Sequence, residues 1–156
     1  MNKITLSLII IILSITFLSC SENTDKENSK NHEMELCQKL WQSYRADLFL
    51  GNPFEIGKNF EDDAIVVYPD MPEIIGKENI LKALNDMFPK TKILKFDFKI
   101  QECLISDSSL FIYISADEKS MRYSIEYSSH VRISSFWKLN SEKVWKISLV
   151  HLNYNN

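Results

Sequence analysis

The residues of this chain that could do acid–base, nucleophilic or metal chemistry are few and scattered. Past the first third of the sequence the histidines are His130 and His151. They stand in separate segments with no ligand-like spacing to each other or to a cysteine, so neither a metal nor a cofactor is expected. No Gly-x-Ser-x-Gly string marks a nucleophile, and Cys37 falls on the apolar face of a helical pattern. His151 shares its alternation with Trp145, Ile147 and Leu149, so it is expected to face the interior; a hydrogen-bonded core histidine is the plain alternative. His130 has the parity opposite Val131 and Ile133 and should face solvent or an interface. Glu102 has the parity of Phe96, Phe98 and Ile100. A bulge near Gln101 would turn Glu102 outward and Cys103 inward, and that reading is favoured because an unpaired buried carboxylate is costly. Asp62-Asp63 resembles an acid–base or metal pair. Trp41 and Tyr44, one helical step apart, either line a pocket or fill the core.

One further cysteine stands in a different context. Met1-Asn2-Lys3 gives a positive start, Ile4 to Leu18 is mostly apolar, and Phe17-Leu18-Ser19-Cys20 closes the run. This is the layout of a secretory signal, and the run is shorter than the roughly 20 residues a membrane-spanning helix needs. The closing string resembles a bacterial lipobox, which implies cleavage before Cys20, lipidation of Cys20 and a membrane-anchored place in the cell envelope (the outer membrane where the source has one). Residues 1–19 are then the signal peptide. Residues 20–32 contain no apolar residue after Cys20 and read as a polar tether. Residues 33–156 form the folded domain.

Charge narrows the partners. Removal of the leader takes one Lys from 18 Lys+Arg against 21 Asp+Glu, leaving a net charge of −4. The basic residues are dispersed, so nucleic acid is not an expected partner. Nine Phe, six Tyr and three Trp supply bulky core material for one domain. Cys37 and Cys103 could pair in an oxidising compartment, but two separately buried thiols is the simpler reading.

The elements that must position these residues follow from periodicity. Leu36, Cys37, Leu40, Trp41, Tyr44 and Leu48 predict a helix over Glu33–Leu50, ended by Gly51. Asn52-Pro53-Phe54-Glu55 predicts a short second helix to about Phe60. A strand over Ala64–Tyr68 and a third helix between Gly76 and Pro89 come next. Then the period becomes two: Leu94 to Ile100, Leu110 to Ser115, Met121 to Tyr127 continuing through Val131 to Leu139, and a last strand with Trp145, Ile147 and Leu149. Helices followed by antiparallel strands make an α+β layout with helices gathered on one face of a curved sheet.

This order, with several local strings, resembles the nuclear transport factor 2-like superfamily, in its SnoaL-like and ketosteroid-isomerase-like branch. The strings are Trp41 and Tyr44 in the first helix, Gly51-Asn52, Phe60-Glu61-Asp62-Asp63-Ala64, Pro69, Gly76-Lys77-Glu78, and Trp137-Lys138-Leu139 with Trp145-Lys146-Ile147 and His151. The resemblance implies a cone, a curved antiparallel sheet wrapped around the N-terminal helices with an apolar pocket between them. It places Tyr44 at the family's donor tyrosine, Tyr68 at the position of the general base, and Ser135 near the second donor, and it implies that Asp62-Asp63 shapes the turn between helix and strand. A tyrosine is a poor base at neutral pH, so isomerase chemistry is not expected. Trp41, Tyr44, Tyr68 and His151 are expected to converge on a pocket for a small apolar or amphipathic molecule, without catalysis. A cyclase- or isomerase-type enzyme using the same pocket, or a protein-interaction module acting through the sheet face, are the alternatives. The resemblance also implies a homodimer formed through sheet faces, for which Val150, Leu152 and Tyr154 are the expected apolar surface.

Overall fold

The structure, a computed structural model, describes residues 29–155; the leader, Cys20 and the residues up to 28 lie outside them. The chain divides into a first unit ending at Leu36 and a second spanning Cys37–Asn156. Helix α1 occupies residues 29–50. It therefore begins before Glu33, where the apolar pattern starts, and Ser29 supports its first turn by donating to Glu33 at 3.3 Å. Gly51, at φ +62°, ends α1, its N–H donating to the Asp47 and Leu48 carbonyls. Asn52 caps α2 (Pro53–Gly57), its Oδ1 accepting from the Phe54 N–H at 3.0 Å, with Pro53 opening the helix.

Six strands and a third helix follow: β1 (Phe60–Val67), β2 (Ile74–Ile75), α3 (Lys77–Met87), β3 (Thr91–Ile105), β4 (Ser109–Arg122), β5 (Ile125–Leu139) and β6 (Trp145–Asn155). The strands form one curved, unclosed sheet in the order β2-β1-β6-β5-β4-β3. The sheet is mixed rather than wholly antiparallel, because β1 lies parallel to β6. The long stretch between them supplies the crossover that a parallel pair needs.

Alternation assigns the two faces. On β4 the even residues from Leu110 through Ala116 are buried, and on β5 the odd residues from Val131 to Trp137. The bulge expected near Gln101 is present as a register shift between Ile100 and Glu102. It leaves Glu102 exposed and turns Cys103 toward the interior. There Cys103 meets Cys37 of α1, and the two form a disulfide with Cα atoms 6.5 Å apart. The reading as separate thiols is thereby corrected.

A second bulge has larger consequences. Between Trp137↔Ile147 and Phe136↔Leu149 the register of β5 and β6 shifts, leaving Ser148 as the extra residue, with its hydroxyl donating to the Phe136 carbonyl at 3.1 Å. One inserted residue exchanges the faces of everything beyond it. Val150 is buried, Leu152 and Tyr154 pack against the core, and His151 is exposed. The apolar surface expected at Val150, Leu152 and Tyr154 is therefore part of the interior. The outer face carries a different apolar row, in register across all six strands: Leu104, Phe111, Phe136, Leu149, Ile65 and Ile75. Phe111 and Phe136 stack there with ring centroids 4.9 Å apart.

Candidate functional site

The inner face converges on aromatic side chains from α1. Trp41 is fully buried and meets Tyr44 edge-on at 5.4 Å, with the tilted Phe98 ring at 6.1 Å. Tyr44 in turn packs edge-on against Phe60 at 6.1 Å. The indole N–H of Trp41 has no hydrogen-bond partner among the described residues. Leaving such a donor buried costs about 1–3 kcal/mol in a folded protein, so its position calls for an explanation.

Beyond Tyr44 the interior becomes polar. The inward alternation of β4 does not stop at Ala116. It continues through Glu118, whose side chain is only 10% exposed, to Ser120, which is buried, and to Arg122 at the strand's end. The Arg122 guanidinium lies 3.7 Å from the Glu118 carboxylate and donates to the Tyr154 hydroxyl. Tyr68, just past β1, and Tyr154, near the end of β6, complete the group. Burial holds the Tyr44 phenol well above its ordinary pKa, assisted by the neighbouring Tyr68, Asp47 and Tyr154 oxygens. Burial also raises Tyr68, as does the Glu118 charge, with Arg122 opposing. Tyr154 is pushed up to about 12, by burial first and then by Glu118 and Tyr68, against the pull of Arg122. All three stay neutral hydrogen-bonding groups at physiological pH.

Of the residues expected to converge, Trp41, Tyr44 and Tyr68 thus lie on the inner side, Tyr44 within electrostatic reach of Tyr68. His151 does not join them. It sits on the outer face beside Ser134 and Val67, carried there by the Ser148 bulge. Tyr154, three positions on, takes the inward place. Ser135 is wholly buried and fully employed, accepting from the Trp137 indole N–H at 2.9 Å and donating to the Ile112 carbonyl at 3.3 Å. Asp62 and Asp63 are exposed where β1 departs from register with β6, and Asp62 stands 3.8 Å from Lys77. Glu118 and Arg122 escape a reading of the sequence, although the run Leu110, Ile112, Ile114, Ala116, Glu118 carries the signal in its parity.

A depression of about 590 Å³ lies along β3, β4 and β5, lined among others by Lys95, Asp117, Lys119, Ser128 and His130. His130 is exposed, as expected, and its Nδ1 is 2.8 Å from Asp117 Oδ1 across the strand pair. Among the described residues no cluster of three His, Cys, Asp or Glu side chains could hold a metal, and no helix is long and apolar enough to cross a membrane.

The fold that carries this cluster is the nuclear transport factor 2-like α+β cone. A ketosteroid isomerase-like protein from Erwinia carotovora atroseptica has it, at 11% identity and a TM-score of 0.72, covering 80% of this chain and 97% of that one. So does an NTF2-like protein from Cytophaga hutchinsonii, at 12% identity and a TM-score of 0.68, covering 79% and 98%. A Catenulispora acidiphila protein solved in complex with S-DNPA matches at 14% identity and a TM-score of 0.65, covering 76% and 90%. No family model and no curated protein matches the sequence. At these identities the likeness establishes the fold, and activity has to be argued from the cluster itself.

Proposed function

We propose that the chain is an envelope lipoprotein whose cone holds a small amphipathic molecule against Trp41, Tyr44, Tyr68 and Tyr154, without transforming it. The observation that carries this reading is the buried, unpartnered indole N–H of Trp41, whose ring packs edge-on against Tyr44, a neutral phenol within electrostatic reach of Tyr68 and Tyr154. Such donors suit a carbonyl or hydroxyl oxygen on an otherwise apolar ligand. Arg122, tied to Glu118 and Tyr154 yet 46% exposed, is the side chain that moves when a ligand enters. The complex of the Catenulispora acidiphila protein with S-DNPA supports the idea that the fold accepts a small molecule. The indole region of a ¹⁵N NMR spectrum tests it. On adding membrane lipid extract the Trp41 N–H resonance should shift while that of Trp137, already bonded to Ser135, stays in place. Equal response of both would reject the site.

Two further parts belong to this reading. Lipidation of Cys20 anchors the domain, and Cys20→Ser should release the protein from the membrane fraction. A second copy covers the outer apolar row, so Phe136→Glu should turn a sedimenting dimer into a monomer. An enzyme of cyclase or isomerase type is the second reading, and Glu118 favours it as a nearly buried carboxylate within electrostatic reach of Tyr68 and Tyr154. A rate lost in Glu118→Gln with the fold intact would raise that reading above binding.

A further inference from the structure

The β4–β5 hairpin ends in a manner that a simple surface turn does not need. Tyr123 and Ser124 form a two-residue connection with φ of 49° and 67°. Left-handed positions in such turns normally select Asn and Gly. Here a tyrosine is held in a conformation its side chain disfavours, and the residue is 75% exposed. Met121, Ile125 and Tyr127 are exposed around it.

The collar of this apolar tip is cationic. Lys92 pairs in register with Met121, and the Lys90 carbonyl accepts from the Tyr123 N–H at 3.3 Å. Both lysines are exposed, and neither has an ion-pair partner among the described residues. The nearby Glu126 is engaged by Lys119 at 2.5 Å. Aromatic rings at the tip with free lysines beside them match the chemistry of the membrane interface, where rings sit at headgroup level and ammonium groups meet lipid phosphates.

We propose that the Tyr123–Ser124 tip docks on an anionic lipid surface, with Tyr123 and Ile125 at the headgroup boundary and Lys90 and Lys92 on the phosphates. Charge complementarity selects this occupant, and the anchor read at Cys20 supplies its proximity. A fully extended chain from Cys20 to Ser29, where α1 begins, reaches at most about 30 Å. Even a weak contact is then effective because it is intramolecular with the anchor. Arg122, adjacent to the turn, also belongs to the inner cluster, so docking brings the cone's polar end to the bilayer, where an amphipathic ligand resides. The inference rests on the anchored reading for its strength and on the tip alone for its geometry.

The test uses full-length protein with Tyr123→Trp, reconstituted in vesicles of phosphatidylglycerol and phosphatidylcholine carrying brominated acyl chains. With the signal of the native tryptophans subtracted, emission from the introduced indole should fall by about twofold or more, and Lys90→Glu with Lys92→Glu should restore most of it. Mass spectrometry of the same sample reads the anchor separately. A lipidated chain that floats with the vesicles while the introduced indole stays unquenched overturns the tip and spares the anchor. Quenching in an unlipidated chain overturns the anchor and keeps the tip. An introduced indole already shielded from aqueous iodide before vesicles are added means that protein covers the tip, and that result also overturns the proposal.

Discussion

Opening the Cys37–Cys103 bridge should cost a large part of the domain's stability. The bridge ties α1 to β3 across a sequence separation of 66 residues. Freeing a loop of that length returns chain entropy to the unfolded state worth about 4 kcal/mol at 25 °C. Whole domains are stable by only about 5–15 kcal/mol. For a domain of this size the loss corresponds to a fall in Tm of about 15 °C. Cys103→Ser is the better variant, because Cys103 is only partly buried while Cys37 is wholly enclosed and remains as a small apolar filler. Thermal unfolding followed by circular dichroism, with and without reductant, reads the change. In the wild type, reductant should reproduce the shift of the variant; in Cys103→Ser it should do nothing further. A wild-type Tm within about 3 °C of the variant's, under a fifth of the shift expected from the loop entropy, would refute the entropic argument once alkylation and mass confirm the bridge intact.

Other outcomes follow from single contacts. Ser135→Ala strips the Trp137 indole N–H of its acceptor in the core and should destabilise the fold by about 1–3 kcal/mol, measured by urea denaturation. Gly57→Ala places a Cβ 2.4 Å from Leu81 Cδ2, and unless Leu81 rotates aside the overpacking should cost about 1–3 kcal/mol in the same assay. Because Tyr44, Tyr68 and Tyr154 have raised pKa values in the fold, the unfolded chain loses these protons first. Stability should therefore hold below about pH 10 and decline as pH rises from there toward about 12. A Tm that stays flat across that alkaline range would contradict this.

How far the sequence can be read depends on where alternation is interrupted. Asn52-Pro53 and Gly51 declare helix boundaries through local backbone chemistry, and the structure places them there. The bulge beside Gln101 is legible because leaving Glu102 on the inner face would bury a lone charge. At Ser148 no such penalty exists: either parity of Leu149, Val150, His151 and Leu152 presents apolar residues to one face. An inward His151 thus rests on a count that one inserted residue reverses. Glu118 is hidden for a related reason. Past Ala116 the inward row turns polar, so β4 looks finished at Ser115, yet the Glu118 charge is compensated by Arg122 four residues on. The pairing of Cys37 with Cys103 is a long-range contact that neither local pattern announces, and the parallel match of β1 with β6 is another.

The central claim, a small molecule held inside the cone, is tested most directly by native mass spectrometry of full-length protein extracted in mild detergent. Trp41→Phe and Tyr44→Phe remove the indole N–H and the phenol while keeping most of the buried volume. The wild type should carry one small organic species per chain, and the double variant should lose it by about tenfold, the equivalent of one good hydrogen bond. A wild type with nothing bound, or a double variant that keeps the same species at the same occupancy, would contradict the account.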